Sequence, residues 1–311
     1  MDTRRIHNFI TVLETGSIAR AAGMLHIAQP ALSVQMRQLE DMVGKPLLTR
    51  SAKGVSPTSL GVAFGTKGAE LLRMADELRS LGRDFADEPE GHVNVGLPTS
   101  VANMLSMQLV QAVIQRFPRV ELGLLESTSA GLGEQLVRGQ LDVAVLFADN
   151  LTAGMRHEAV LEEDLFIVGT DTMPADPPLS ALHGLALLMP ARPNSVRLLL
   201  DKACAQRGIV PHILAEISSP YTMLQLARSG LGATVLPWSM LARERMEGLH
   251  AVRILSPRLT RTICVATGMG RKAQLSRNVA VNGVLCELLR ELVQHSDWRG
   301  ARLKRPSRLA R

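Results

Sequence analysis

Cysteine is scarce in this chain of 311 residues, and Cys204, Cys264 and Cys286 lie far apart in the sequence. They form no C-x-x-C pair and have no metal-ligand spacing with histidine, which argues against a structural zinc site. We predict buried thiols in a reducing compartment, because free cysteine is among the most frequently buried residue types. A redox switch would need an exposed thiol of low pKa. Cys204 lies near Lys202 and Arg207, whereas no basic cluster stands beside Cys264 or Cys286.

Long apolar runs are also absent. No run approaches the roughly 20 residues that a membrane-spanning helix needs. The first ten residues, MDTRRIHNFI, are polar and lack the apolar core of a secretory signal. We therefore predict a cytoplasmic protein without a membrane partner, and the chain length favours two or three domains.

The motifs of common enzyme sites are missing as well. The sequence has no P-loop, no G-x-G-x-x-G after a strand, no G-x-S-x-G and no H-E-x-x-H. The eight histidines are scattered, and we predict no metal or cofactor. Glu162, Glu163 and Asp164 stand where a strand is expected to begin, and we interpret them as solvated charge rather than catalytic groups. The alternative of a small-molecule-converting α/β enzyme therefore has no support.

The net charge of +6 is concentrated at one end of the chain. The last thirteen residues hold six cations and no acid, so the rest of the chain is close to neutral. These cations are Arg299, Arg302, Lys304, Arg305, Arg308 and Arg311. We expect residues 297–311 to form a disordered basic tail, with nonspecific contact to phosphates as the alternative.

Three short helices are predicted near the N-terminus. Apolar residues recur at i, i+3, i+4 and i+7 over residues 4–14 and 18–25, and apolar residues at 32, 36, 39 and 43 mark a third helix face. Gly16 can end the first helix and Ser17 can cap the second. A tight turn between the second and third helices predicts a helix-turn-helix.

Residues 44–57 change character, with two glycines and two prolines among apolar residues. Two short strands around a turn at residues 52–54 would form a wing, with Arg50 and Lys53 at its tip. Residues 1–58 are therefore predicted to be a winged helix-turn-helix.

A long linker helix is predicted over residues 59–89. Apolar residues at alternating spacings of three and four form a seam, interrupted only by Lys67, which predicts a dimerising coiled coil. The alternative is packing against its own domain, and the interior glycines Gly61, Gly65 and Gly68 weaken the helix. The seam consists of Leu60, Phe64, Leu71, Met74, Leu78, Leu81 and Phe85.

Beyond a hinge at Pro89 and Gly91, short apolar runs alternate with helical stretches up to about residue 296. This alternation predicts mostly parallel sheets covered by helices. The number of strands suits two subdomains better than one.

The string GSIARAAGMLHIAQPALSVQMRQLEDMVGKPLLTR, residues 16–50, with SPTSLG after it, resembles the DNA-binding domain of LysR-type transcriptional regulators. The resemblance covers the whole chain. Within the family, LHIAQPALS, LDVAVLF, EDLFIVGT and GATVLP resemble the nitrogen-assimilation-control (Nac) branch. Regulation of transcription is the function that the resemblance implies.

The resemblance implies a regulatory domain like a periplasmic binding protein, with two α/β subdomains around a ligand cleft. Residues 92–162 and 267–296 would form the first subdomain, and residues 163–266 the second. The two crossover strands would fall near residues 161–164 and 263–267, and the last helix would return to the first subdomain.

In a helix-turn-helix, the N-terminal residues of the second helix of the motif meet base edges in the major groove. This helix begins near Ala28, with Pro30 in its first turn, where a missing N–H is tolerated. Gln29 and Ser33 are predicted to contact bases or backbone, since glutamine can pair with adenine, and Pro30 is predicted to belong to the same DNA-binding surface. Arg37 is predicted to contact phosphate.

Two positions depart from the common family pattern: Ala28 replaces a frequent Ser cap, and Val34 replaces a frequent Arg or Lys. Arg50 and Lys53 in the wing would reach a phosphate or the minor groove. An alternative function, a solute-binding module with a degenerate DNA-binding domain, rests only on Ala28 and Val34.

Dimerisation through the linker helix would place two recognition helices a fixed distance apart, which predicts an interrupted dyad in double-stranded DNA. From the resemblance, a homotetramer spanning two such sites is expected beside the homodimer, with RNA polymerase as a further partner.

The resemblance also predicts an effector cleft. Hydroxyls and backbone donors after three strands would line it on one side, where helix N-termini favour an anion. The alternative is that these hydroxyls only cap helices, and the Nac-like strings raise the alternative that no small-molecule effector is needed. The predicted cleft residues are Thr99, Ser100, Thr128, Ser129 and Phe147 on one side, and Ser195, Tyr221 and Thr222 on the other.

Overall fold

The computed structural model describes residues 2–51, 54–80, 88–170, 177–269, 273 and 275–304, without the side chains of residues 50, 51, 73 and 76–80. The chain divides into two compact units, Met1–Phe85 and Ala86–Arg311. Among the described residues, no helix is both long enough and apolar enough to span a bilayer.

The N-terminal unit contains three helices, a two-stranded wing and a long helix. Ser17 caps the second helix, and Gly16 and Gly44 end the first and third in the left-handed conformation. The winged helix-turn-helix is therefore confirmed. Its elements are α1 (Thr3–Thr15), α2 (Ile18–Met24), α3 (Gln29–Val43), β1 (Leu48–Ser51), β2 (Gly54–Pro57) and α4 (Ser59–Ser80).

The glycines of α4 allow α1 to approach closely. A Cβ atom on Gly65 would lie 2.7 Å from Leu13 Cδ1, and one on Gly68 would lie equally close to a methyl group of α1. Beside them, the rings of Phe64 and Phe9 meet edge to face with centroids 5.4 Å apart. This face of α4 therefore packs against its own domain, as the alternative interpretation predicted.

The rest of the predicted seam on α4 is open where the structure describes it. Leu60 and Leu71 are each 38% exposed and Met74 is 57% exposed, so an apolar stripe remains for a second helix. Dimerisation through it stays a prediction. The remaining seam positions, the Leu78 side chain, Leu81 and Phe85, lie outside the described residues.

The regulatory unit is built on one long sheet. Its strands are β3 (Gly91–Pro98), β4 (Val120–Ser127), β5 (Val143–Phe147), β6 (Met155–Gly169), β7 (Ala186–Met189), β8 (His212–Glu216), β9 (Ala233–Pro237), β10 (His250–Arg253), β11 (Thr260–Gly268) and β12 (Ala301–Leu303). Its α-helices are α5 (Thr99–Arg116), α6 (Ser129–Val137), α7 (Ser195–Ala205), α8 (Pro220–Arg228), α9 (Trp238–Leu241) and α10 (Ser276–Gln294).

The strand order is β4-β3-β5-β11-β6-β9-β7-β8, with β10 and β12 also paired to β6. The strands β3, β4 and β5 are parallel and form one subdomain, whereas β7, β8 and β9 are parallel and form the other. Each half has its own apolar core. Strand β6 joins the halves, because residues 155–164 pair with β11 and residues 165–168 pair with β9.

The second crossover lies earlier than predicted. Residues 263–267 of β11 pair with β5 inside the first subdomain, and β11 already pairs with β6 from Thr260 onwards. The apolar run that guided the prediction marks the buried centre of β11, not the point where the chain changes subdomain.

The prediction of a disordered tail is wrong for residues 297–304. Trp298 is 1% exposed, and β12 pairs antiparallel with β6 at residues 161–163. Arg302 and Lys304 have acidic partners in the fold, and Arg299 lies over the rings of Phe166 and Trp238, so these cations are not a free charge run. Residues 305–311 lie outside the described residues.

Candidate DNA-binding helix and ligand cleft

The outward face of α3 carries the residues predicted to contact DNA. Leu32, Met36 and Leu39 are buried in the N-terminal core, which fixes the opposite side of the helix outward. Gln29, Pro30 and Arg37 are exposed, and Ser33 is partly exposed. The helix begins at Ala28 without a side-chain cap, as expected from the alanine. Val34, 48% exposed, lies near the middle of the outward face.

A carboxylate holds α3 to the wing. Glu40 Oε1 accepts hydrogen bonds from the backbone N–H groups of Leu47 at 2.9 Å and Leu48 at 3.0 Å. These two donors lie just before and at the start of β1. Hydrogen bonds to a charged acceptor are stronger than those between neutral groups. Glu40, which sequence reasoning did not single out, therefore ties α3 to the start of the wing.

The wing is fastened to the turn between α1 and α2. The Val55 N–H donates to the Gly16 carbonyl at 3.0 Å. A Cβ atom on Gly54, whose φ is +124°, would lie 2.5 Å from that carbonyl oxygen, so glycine is required there. Arg50 pairs with Val55 in the β1–β2 ladder, but its side chain and all of Lys53 lie outside the described residues.

The regulatory unit has a cleft between its two subdomains, with a cavity of about 120 Å³. Parallel strands end at this cleft, and helices α5, α6, α7 and α8 begin beside it, the arrangement in which open α/β sheets bind ligands. Six of the predicted residues line it together. They are Thr99, Ser100, Thr128, Ser129, Phe147 and Ser195.

The other two predicted residues do not line the cavity. Tyr221 and Thr222 belong to the first turn of α8, which contributes Pro220 instead. Tyr221 is 43% exposed. Partial burial, and then the nearby charges of Glu126 and Glu244, raise the pKa of its hydroxyl, so it is protonated at neutral pH.

Several cleft hydroxyls already have partners inside the protein. Ser129 Oγ accepts a hydrogen bond from the Phe147 N–H at 2.9 Å, and Thr128 Oγ1 accepts one from Gly131 N–H at 3.3 Å. Ser100 Oγ accepts one from Arg261 Nη2 at 2.7 Å. Two of these hydroxyls therefore have a structural role, as the alternative interpretation predicted. Thr128 caps α6, and Ser129 connects α6 to β5.

Arg261 is a charged cleft residue that sequence reasoning missed. It lies on β11 at the floor of the cleft, 5% exposed, with its guanidinium 3.8 Å from the centre of the Phe147 ring. Arg261 Nε donates to Glu163 Oε1 at 2.6 Å. An arginine inside an apolar strand is a signal that could have identified it. Its partner Glu163 lies 98 residues away in the sequence, so the pairing could not be recognised from local patterns.

The interpretation of Glu162, Glu163 and Asp164 as solvated charge is wrong. Glu163 and Asp164 are completely buried. Asp164 accepts two hydrogen bonds from Arg258 at 2.7 and 2.8 Å. Buried carboxylates need such partners, because desolvation without them is costly.

The three cysteines are buried, as predicted. Burial raises the pKa of Cys264 and that of Cys286 to about 11, and burial also raises the pKa of Cys204. The thiols are therefore protonated at neutral pH, which does not support the alternative of a redox switch. Among the residues that the structure describes, no cluster of histidine, cysteine and acidic side chains could hold a metal.

Two family descriptions match the chain. Residues 3–62 match "Bacterial regulatory helix-turn-helix protein, lysR family", and residues 86–281 match "LysR substrate binding domain". Relatives include the nitrogen assimilation regulatory protein nac of Escherichia coli (strain K12), 35% identical over 77% of this chain and 79% of that protein. The protein of the same name from Klebsiella aerogenes is 34% identical over 93% of this chain and 95% of its own length.

Solved structures of similar fold include full-length CbnR complexed with its target DNA, with a TM-score of 0.72 and 23% identity over 92% of this chain and 100% of that one. A full-length OxyR variant from Pseudomonas aeruginosa has a TM-score of 0.71 and 23% identity, over 98% of this chain and 99% of that one. Together with the family matches over both units and the identity to the nac proteins, these likenesses show that this chain belongs to the LysR family of transcriptional regulators and lies in its Nac-like branch.

Proposed function

We propose that this protein regulates transcription by binding promoter DNA with the outward face of α3, as a dimer or tetramer on interrupted-dyad sites. The observation that carries the proposal is the exposure of Gln29, Pro30 and Arg37 on a helix whose other side is locked into the core. It acts in the cytoplasm as a regulator and not as an enzyme, with RNA polymerase as a further partner.

Each side chain on α3 has a stated role in this proposal. Gln29 and Ser33 meet base edges or backbone at the N-terminal end of the helix, and Arg37 meets a phosphate. Val34 points away from the core at the middle of the face, where its methyl groups can contact the methyl group of thymine. Arg50 and Lys53 of the wing add phosphate contacts.

Footprinting on the DNA upstream of its own gene, at two salt concentrations, tests this function. The wild-type chain should protect a dyad, and Gln29→Ala should lose about 1–3 kcal/mol of discrimination between promoter and random duplex. Gln38→Ala, the same change further along α3, is the matched control and should keep the preference. Equal affinity of the wild-type chain for promoter and random DNA would instead favour a solute-binding module.

We also propose that the cleft takes a small anionic ligand at the start of α5. Helices α6 and α7 begin with side-chain caps from Thr128 and Asn194, whereas α5 begins after Pro98 with none. The first backbone N–H groups of α5 therefore favour an anion there. Arg261 lies beside this end of α5 through its bond to Ser100, but Glu163 offsets its charge, so the helix end supplies the main attraction.

Thermal unfolding in the presence of small carboxylates and their neutral amides tests the ligand. A bound carboxylate stabilises the folded chain by RT ln(1 + [L]/Kd), about 2.7 kcal/mol at a hundredfold excess over Kd. Thr99→Ala should reduce the shift, because it removes a hydroxyl that lines the cavity but keeps the backbone donors, while Thr222→Ala, the matched change outside the cavity, should keep the full shift. Identical shifts for acids and amides would contradict an anion site, and no shift with any ligand would favour a regulator that needs none.

A further inference from the structure

The segment of residues 297–304, called here the C-terminal clasp, supplies a partner to each of three successive carboxylates of β6. Arg302 bonds Glu162 at 2.6 Å and Asp164 at 3.3 Å. Trp298 Nε1 donates to Glu163 at 2.8 Å. The Asp164 N–H donates to the Gly300 carbonyl at 3.1 Å.

These carboxylates lie where β6 passes from one subdomain to the other. Up to Asp164 the strand pairs with β11, and from Leu165 it pairs with β9. The clasp is therefore bound to the hinge between the two halves of the cleft. Gly300 is needed for this contact, since a Cβ atom there would lie 3.1 Å from the Phe166 ring and 3.2 Å from Asp164.

Glu163 connects the clasp to the floor of the cleft. One of its oxygens accepts hydrogen bonds from Trp298 and from Ser239, the latter at 2.9 Å, and the other oxygen binds Arg261. Arg261 in turn holds Ser100 and lies on Phe147, both of which line the cavity. A displacement of the indole thus reaches the ligand-facing groups through two hydrogen-bonded side chains.

We infer that the C-terminal clasp sets the angle between the two subdomains, with Trp298 and Arg302 as positioning residues that act on the cleft through Glu163 and the hinge. The inference rests on the proposed function in taking this cleft as the ligand site, but it concerns the ligand-free chain. An indole N–H and a guanidinium of the clasp bind the three successive carboxylates of β6, beside the backbone bond from Asp164 to Gly300 and the ion pair of Lys304 with Glu162.

Distances between spin labels across the cleft test the inference in the full chain. Labels go on Val279→Cys in α10 and Leu198→Cys in α7, which are 56% and 43% exposed, while the native cysteines are buried. The labelled chain is mixed with an excess of unlabelled chain, so that only distances within one chain contribute. Neither DNA nor ligand is added, so failure of promoter or carboxylate binding leaves this result interpretable.

The wild-type chain should give one narrow distance distribution, and Trp298→Phe and Arg302→Gln should each widen it about twofold or add a second distance. Arg302→Lys keeps a cation and should restore the narrow distribution. Arg116→Gln is a matched control in an exposed ion pair away from the clasp and should leave it unchanged.

Melting temperature, measured in parallel, reports lost packing rather than hinge position. The inference is overturned if Trp298→Phe and Arg302→Gln lower the melting temperature but keep the wild-type distances. It is equally overturned if the control variant Arg116→Gln widens the distribution as much as they do.

Discussion

The recognition helix and the ligand cleft are both lined by polar side chains, but they use them differently. On α3, the side chains of Gln29, Ser33 and Arg37 make no hydrogen bond or ion pair with the residues that the structure describes. In the cleft, Ser100 and Ser129 are already bonded within the protein. Substitutions on α3 should therefore change binding alone, whereas substitutions in the cleft should change stability as well.

The largest difference is expected at the buried ion pair. Arg261→Met leaves the buried Glu163 without its cation, which should lower the free energy of unfolding by about 3–5 kcal/mol. Urea unfolding of the full chain measures this loss. Arg116→Met removes a cation of the exposed pair with Glu287 and serves as the control, with an effect close to zero. Similar losses in both variants would contradict the comparison.

The change from serine to alanine should lower stability in the cleft but weaken only DNA binding on α3. Ser129→Ala leaves the Phe147 N–H without its acceptor and should lower the free energy of unfolding by about 1–3 kcal/mol. Ser33→Ala should keep that free energy and weaken promoter binding. Unfolding curves and DNA titrations on both variants measure the two effects. A stability loss in Ser33→Ala would show that the Ser33 side chain also stabilises the fold.

The uncapped start of α3 offers a smaller, stabilising test. Ala28 has the extended backbone of an N-cap residue, with φ −65° and ψ 132°, but no side-chain oxygen. Ala28→Ser should raise the free energy of unfolding by roughly 0.5–1 kcal/mol, because its hydroxyl can accept from an N–H of the first turn. Thermal unfolding measures the gain. An unchanged melting temperature would mean that a hydroxyl at this position does not reach an N–H of the first turn.

The smallest expected effect is on the dependence of stability on pH. Burial acts to raise the pKa of Glu162, but its bonds to Lys304 and Arg302 prevail and lower that pKa below the ordinary value of 4.5. The ionised carboxylate therefore stabilises the fold above pH 4.5, and this contribution is lost as the pH falls through the lowered pKa. The stability difference between the wild-type chain and Glu162→Gln should shrink over that range. A difference independent of pH would contradict these ion pairs.

The N-terminal unit could be predicted almost element by element, because its signals are local. Gly16, Ser17 and Gly44 mark helix ends within a few residues of the apolar faces they terminate. The cleft hydroxyls Thr99, Ser100, Thr128 and Ser129 were also predicted correctly as neighbours, since they follow parallel strands whose ends meet at one edge.

What sequence reasoning missed depends on partners far apart in the chain. Periodicity reports which residues share a face of one element, but not which elements meet. Arg302 and Glu162 are 140 residues apart. The acidic triplet and the basic C-terminal residues therefore gave two separate interpretations as solvated charge, although they are two halves of one contact.

The position of β12 in the chain has a consequence for biosynthesis. Trp298 is synthesised 135 residues after Glu163. The strand that follows it, β12, comes after every other strand of the sheet that the structure describes. Until then Glu163 and Asp164 have Arg261 and Arg258 as partners but lack their bonds to Trp298 and Arg302, and burying carboxylates with incomplete partners is unfavourable. The core of the first half includes residues of β11 and α10, which follow the whole second half in the chain, so that half and the cleft are completed late in synthesis. If the clasp sets the angle between the halves, as inferred above, a chain interrupted before residue 297 should have both halves and no fixed angle between them.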